Sequence, residues 1–196
     1  KESGFRTQSF AHWLGKAFFG KDSLDIIFRS ANGYARVDDT WFRRAVEREV
    51  LGVPVLICPA EEMIWSKSFI MERERFDGAD VAHLLLKCAD TLDWDHLLDL
   101  FQEHWRVLLA HLVLFGFTYP SEKHRIPNRV MRELLGRVER DEGVDGRVCQ
   151  GTLLSRTQYL VDVDEWGFQD ARLLPRGGLT REEIQLWTRA GEEEHP

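Results

Sequence analysis

From residue 59 to residue 140 the chain carries mostly helical patterns, and this run constrains the fold more than any other feature. Pro59 suits a first helical turn, and Glu61 and Glu62 favour the positive end of the helix dipole. We therefore predict a helix from Pro59 to about Arg75. The break at Phe76-Asp77-Gly78 precedes a second helix that starts near Asp77. Further helices are predicted over residues 94–101, 104–115 and 127–140.

The first third of the chain has a different pattern. Short apolar clusters at residues 17–19, 24–28 and 53–58 are bounded by Gly, Asn and Asp, which is typical of strands. Between the last two, residues 39–50 have the spacing of a short helix. The combination predicts an α+β fold. Residues 140–146 are charged and contain glycine, so we expect them to link the helical region to a C-terminal segment.

Composition excludes some classes of protein. The most apolar run, residues 107–117, is far shorter than the ~20 residues needed to span a bilayer. A net charge of -7, with acids and bases interspersed, gives no broad basic surface for nonspecific nucleic-acid binding. The three cysteines form no metal pattern and fit reduced thiols. We therefore expect a soluble, cytoplasmic protein with no membrane partner. Because Lys1 is not Met and no signal peptide follows, we expect a piece cut from a longer protein.

The first candidate functional residue is a carboxylate inside an apolar strand. Asp25 lies between Leu24 and Ile26. The pattern alone favours an edge-strand residue that faces water. The alternative is a metal-binding carboxylate, because phosphoryl and nucleotidyl transfer need carboxylates that hold divalent metal and cations that hold the triphosphate.

The second candidate is a lysine on a helix face that is predicted to be buried. Lys67 shares this face with four apolar residues, Met63, Ile64, Ile70 and Met71. An ammonium group there either reaches solvent along its own stem or meets an anion, and the first outcome is the commoner for a single lysine. If Lys67 is paired, we expect its partner to be Asp80 or Asp77.

Four charged residues follow this lysine, Arg73, Arg75, Asp77 and Asp80. Asp77 and Asp80 are three positions apart and share one face at the start of a helix, where capping and dipole compensation explain both without catalysis. What favours a functional interpretation is the order of the features along the chain. A strand carboxylate is followed by a helix lysine, then by arginines, then by two aspartates that open the next helix.

That order resembles a known family. Residues 59–86 look like the proline-led helix, lysine, arginine and Asp-x-x-Asp element of minimal nucleotidyltransferases related to the toxin halves of abortive-infection toxin–antitoxin pairs. Residues 10–170 are similar to a bacterial family of polymerase-β-type nucleotidyltransferases. The motifs that carry this similarity lie at residues 13–18, 65–67, 71–80 and 151–156.

The resemblance implies a fold and a chemistry. It implies a partial polymerase-β-like nucleotidyltransferase sheet with flanking helices over residues 1–87, a helical extension over 88–146 and a C-terminal segment over 147–196. Asp25 then corresponds to the third metal carboxylate, which binds Mg²⁺. Lys67 and Asp80 join it as catalytic residues, and Lys67, Arg73 and Asp77 contact the nucleotide. The implied reaction is Mg²⁺-dependent transfer of a nucleotidyl group from an NTP to RNA, a protein side chain or a small molecule.

The sequence departs from the family pattern at one point. Nothing before Asp25 supplies the Gly-Ser turn and the Asp-x-Asp strand that hold phosphate and metal in this superfamily, so we expect this chain to be inactive alone. Gly151-Thr152, followed by Asp162 and Asp164, mimics the motif, and a circular permutation would place it beside Asp25. The residues after Asp164 do not continue an apolar strand.

The alternative function is a non-catalytic binding or antitoxin-type module on a degenerate nucleotidyltransferase fold.

Overall fold

A computed structural model describes residues 4–9, 11–140, 146–175 and 177–193. The chain forms two compact units, one made of residues 1–38 with 147–196 and the other of residues 39–146. Small sheets and many helices occur in the same chain, which confirms the α+β class. The domain boundary predicted at residue 87 lies inside the second unit and stays a prediction.

In chain order the elements are β1 (Arg6–Ser9), β2 (Leu14–Phe19), β3 (Asp22–Ile27), α1 (Asp39–Arg44), β4 (Val46–Val50), β5 (Val53–Ile57), α2 (Ala60–Ser68), α3 (Gly78–Cys88), α4 (Trp94–Phe101), α5 (Trp105–Thr118), α6 (Asn128–Arg140), β6 (Val148–Cys149), α7 (Leu160–Asp164), β7 (Gln169–Asp170) and α8 (Arg181–Glu193).

The first unit contains an antiparallel sheet with the strand order β1-β2-β3. Strands β2 and β3 agree with the apolar clusters predicted at residues 17–19 and 24–28. Strand β1 was not predicted, because its sequence Arg-Thr-Gln-Ser has no apolar residue that would signal a strand. Strand β3 is an edge of this sheet and all six of its residues are exposed. Asp25 is therefore an edge-strand residue, as the strand pattern alone favoured.

The interior of the first unit is held together by buried polar side chains. Arg172 is fully buried and donates hydrogen bonds to both carboxylate oxygens of Asp170, at 2.7–3.1 Å. Its guanidinium also lies 5.5 Å from the ring centroid of Trp187. The buried side chain of Asn32 donates to the Leu153 carbonyl at 2.7 Å, across 121 residues of sequence. The Asn32 contact joins the segment before residue 38 to the segment after residue 147.

The second unit begins with a short helix and a hairpin, which corrects the helix predicted over residues 39–50. Helix α1 ends at Arg44, and residues 46–50 form strand β4, which pairs antiparallel with β5. The two residues between the strands, Leu51 and Gly52, have φ angles of 52° and 79°. A two-residue turn with both φ angles positive matches the twist of antiparallel strands. The prediction was wrong because pairing with β5 outweighed a helical spacing only a few residues long.

Five helices form the rest of the second unit, and their apolar faces make its core. Ile64 of α2, Val81 and Leu85 of α3, Leu97 of α4 and Leu108 of α5 are fully buried. Helix α2 ends at Ser68, so the prediction that it continues to about Arg75 was wrong. The chain folds back on itself after Ser68, where the Asp77 amide donates to the Ile70 carbonyl at 3.1 Å. Among the described residues, no helix is long and apolar enough to cross a membrane.

The buried ion pair between Asp170 and Arg172 gives the first prediction. Asp170→Ala leaves the Arg172 guanidinium buried without its carboxylate, and removing one partner of a buried pair costs about 3–5 kcal/mol of the free energy of unfolding. Urea denaturation followed by circular dichroism measures the loss. Asp164→Ala, at the exposed end of α7, is the matched control and changes stability little. A loss no larger than that of the control contradicts the prediction.

Candidate functional site

The junction between α2 and α3 brings together the charged residues that the sequence singled out. Lys67 lies in the last turn of α2, and Asp77 precedes the first residue of α3. The Lys67 Nζ atom is 2.9 Å from Asp77 Oδ2 and 2.6 Å from Asp80 Oδ2. The anionic partners expected from the sequence are therefore both present. A cation at the end of one helix and carboxylates at the start of the next also suit the two helix dipoles.

Arg75 completes this group of side chains. Its Nε and Nη2 atoms donate to the two carboxylate oxygens of Asp77, each at 2.9 Å. Such a two-point contact fixes both the position and the orientation of the carboxylate. We call Lys67, Arg75, Asp77 and Asp80 the Lys67 cluster.

Asp77 does not cap α3, although capping was its default interpretation from the sequence. Its side chain makes no hydrogen bond to the first turn of the helix and is only 8% exposed. The hydrogen bond from Arg75 lowers the pKa of Asp77, burial opposes this effect, and Lys67 lowers it further, so the pKa lies below its usual value. Asp77 is thus held as a carboxylate.

The amine of Lys67 is held in its charged form. Burial acts to lower the pKa of Lys67, but the hydrogen bonds to Asp80 and Asp77 outweigh it and raise the pKa above its usual value. The Lys67 side chain is 24% exposed and that of Asp80 is 54% exposed. Two cations therefore face two carboxylates in the cluster, and the contact between Lys67 and Asp80 is the one that solvent reaches most easily.

Arg73 lies at the surface, and its role in contacting the nucleotide stays a prediction. Its side chain is 83% exposed and its Nε atom is 3.4 Å from Glu74 Oε1. Arg75, two residues later, supplies the arginine of the cluster instead. The sequence drew attention to both arginines but gave no signal that separates them, because the backbone of the 69–77 turn decides which one faces Asp77.

Asp25 has its own partner in the first unit. Lys16 lies opposite it in the β2–β3 register, and the Lys16 Nζ atom is 3.2 Å from Asp25 Oδ1. In the described ranges, no group of three His, Cys, Asp or Glu side chains is arranged to hold a metal ion. Asp25 and Lys67 belong to different units, so the roles in one nucleotidyltransferase site that the family resemblance implies for them stay a prediction.

The motif that mimics an Asp-x-Asp strand does not form a strand. Asp162 and Asp164 lie on the short helix α7. Residues i and i+2 of a helix point about 200° apart, whereas an Asp-x-Asp strand presents both carboxylates on one face. The hypothesis of a permuted metal site at these residues therefore loses its geometric basis.

A second polar cluster in the same unit was not predicted. Glu62 is fully buried on α2, and its Oε1 atom accepts a hydrogen bond from His96 Nε2 at 2.9 Å. Asp93 caps α4 by accepting from the His96 amide, and it also pairs with Arg44 at 3.2 Å. The sequence gave no signal for the Glu62–His96 and Arg44–Asp93 contacts, because each joins residues more than thirty positions apart. The Glu62–His96 contact fixes α2, which carries Lys67, to α4.

Comparisons with protein-family models, with curated proteins and with solved structures find no match for this chain. The site is therefore interpreted from its own geometry.

The contrast between the two arginines gives a prediction about pH. Asp77 has a lower pKa in the folded chain than in the unfolded chain, so it contributes stability above its unfolded pKa that is lost as the pH falls through its folded pKa. Arg75→Met removes the largest cause of the lowering. We expect the Asp77 pKa to rise and acid unfolding to begin at higher pH, as measured by NMR titration of the carboxyl carbon and by circular dichroism.

Arg73→Met is the matched control, because its side chain is exposed and its ion pair is with Glu74. It should leave the Asp77 titration unchanged. Equal effects of the two substitutions would mean that the bidentate contact does not set the Asp77 charge.

Proposed function

We propose that this chain is part of a polymerase-β-type nucleotidyltransferase and that Lys67 binds the phosphates of an NTP. The observation that carries the proposal is the position of the Lys67 amine, which is charged, partly buried and held at a helix junction by two carboxylates. In this proposal residues 1–87 supply the partial nucleotidyltransferase sheet and its flanking helices, and residues 88–146 supply a helical extension.

The different exposure of the two carboxylates supports an exchange mechanism. Asp77 is buried and is also held by Arg75, so it keeps a cationic partner when Lys67 turns to another anion. Asp80 is exposed and can return to water without a large desolvation change. An incoming phosphate would then replace Asp80 on the Lys67 amine while the contact to Asp77 persists. Charge-assisted hydrogen bonds of this kind are among the stronger ones in proteins.

The residues around Asp25 do not by themselves fit a magnesium site. Mg²⁺ prefers octahedral oxygen coordination, and two-metal transfer needs several carboxylates. Asp25 is half exposed and lies beside the Lys16 ammonium group. No catalytic step is therefore assigned to a metal at Asp25, and Mg²⁺ remains what the family resemblance implies for a protein that also contains a Gly-Ser turn and an Asp-x-Asp strand.

A second candidate function is a non-catalytic binding or antitoxin-type module. The ion pair between Lys16 and Asp25 favours it, because an ammonium group occupies the position where a catalytic metal would be expected. The two candidates differ in their need for an NTP. Nucleotide binding through Lys67 supports the nucleotidyltransferase. A chain that binds no nucleotide supports the non-catalytic module.

Nucleotide binding is the direct test. We expect the chain to bind Mg²⁺-complexed, non-hydrolysable analogues of ATP, GTP, CTP or UTP in isothermal titration calorimetry. Loss of a hydrogen bond to a charged group costs about 1.5–3 kcal/mol, which is about a 10- to 100-fold loss of affinity for Lys67→Met. Lys87→Met, in the exposed last turn of α3, is the control and keeps the affinity of the parent chain. Unaltered binding by Lys67→Met removes Lys67 from the site.

Transfer itself should be absent in this chain. Incubation with labelled NTPs, Mg²⁺ or Mn²⁺, and RNA or protein acceptors should give no labelled product, because a single carboxylate cannot form the clamp that stabilises the attacking and leaving oxygens. Robust product formation would show that other residues of the chain supply the missing carboxylates.

A further inference from the structure

We infer that the ring of Phe76, held between Gly78 and His111, positions the Lys67 cluster. Phe76 and His111 are then positioning residues, since they act through the side chains of the Lys67 cluster. The use of the cluster rests on the proposed function, whereas the positioning concerns the geometry of this chain alone. Phe76 lies within the 71–80 motif, but neither the sequence nor the family resemblance gave Phe76 or His111 a role in the site.

The Phe76 ring has a defined place although it is 53% exposed. Its centroid lies 6.2 Å from that of the buried His111 imidazole, and the two ring planes differ by 11°. An isolated exposed phenylalanine needs no explanation. A ring stacked on a buried histidine from another helix is different, because the partner restricts both its position and its orientation.

Gly78 provides the space for this ring. A Cβ atom at Gly78 would lie 2.0 Å from Phe76 Cζ and 2.4 Å from Cε1. Gly78 is the first residue of α3 and does not have a positive φ, so its backbone does not require glycine. The space occupied by the ring is therefore the physical reason for glycine at this position.

His111 connects the two sides of the turn that carries the cluster. Its Nε2–H donates to the Ser68 carbonyl at 2.9 Å, next in sequence to Lys67. Its ring meanwhile contacts Phe76, which lies between Arg75 and Asp77. One buried side chain of α5 thus contacts both the end of α2 and the turn that precedes α3.

The hydrogen bonds of the turn transmit the position of the ring to the cluster. The Glu72 amide donates to the Arg75 carbonyl at 2.8 Å, and the Asp77 amide donates to the Ile70 carbonyl at 3.1 Å. A ring displaced from His111 removes the aromatic contact that holds the turn between these two hydrogen bonds. The contacts of Asp77 to Lys67 and Arg75 are all 2.9 Å long, and a displacement of about 1 Å is enough to break such contacts.

Gly78→Ala tests the inference by displacing the ring without removing any charged group. We expect the proton affinity of Asp77 to rise about tenfold, which NMR titration of its carboxyl carbon detects as a higher pKa. We also expect faster acetylation of the Lys67 amine by acetic anhydride, followed by mass spectrometry. Gly116→Ala in α5 is the matched control, since its new Cβ would meet only Lys123 Cβ at 3.9 Å, and it should change neither readout.

A second pair of variants tests the same inference if Gly78→Ala does not fold. Phe76→Leu removes the aromatic stack and keeps apolar bulk, so it should reproduce both changes. Phe117→Leu in α5 is the matched control, because it makes the same exchange at a side chain that is 82% exposed, and it should behave as the parent chain. The inference is overturned if folded Phe76→Leu shows the parent Asp77 titration and Lys67 acetylation, or if Phe117→Leu changes them as much as Phe76→Leu does. Neither readout involves a nucleotide, so a failure of NTP binding would not be confused with a failure of this inference.

Discussion

The shared carboxylate of Asp77 is the interaction on which the α2–α3 junction depends. It accepts from Lys67 on one helix and from Arg75 in the intervening turn, and it is almost fully removed from solvent. A buried carboxylate without cationic partners would be costly, so its charge requires both contacts. The early end of α2, the fold-back of residues 69–77 and the exposed position of Arg73 are all consistent with this requirement.

Neighbouring side chains fix the helices that carry the cluster. His111 holds the end of α2 through Ser68 and contacts Phe76. Glu62 and His96 hold the start of the same helix against α4. Helix α2, at whose end Lys67 lies, is therefore held by contacts from both α4 and α5.

The first unit is organised by a different principle. Its antiparallel sheet is small and its edge strand β3 is exposed, and the buried contact from Asn32 to the Leu153 carbonyl connects segments that are distant in sequence. Asp25 lies on that exposed edge, paired with Lys16. The carboxylate that the family resemblance assigns to metal is therefore held by an ion pair at an exposed edge, whereas Asp77 near Lys67 is buried and held by two cations.

The sequence by itself determined helices α3 to α6 of the second unit, the strands at the apolar clusters of residues 24–28 and 53–58, and the anionic partners of Lys67. Each of these follows from local periodicity or from the cost of burying an unpaired charge. Tertiary structure alone decided that α2 stops at Ser68, that residues 46–50 form a strand, and that Arg75 rather than Arg73 contacts Asp77. Those outcomes depend on contacts with residues far away in sequence or across a hairpin, such as His111 with Ser68, and a local pattern contains no information about such contacts.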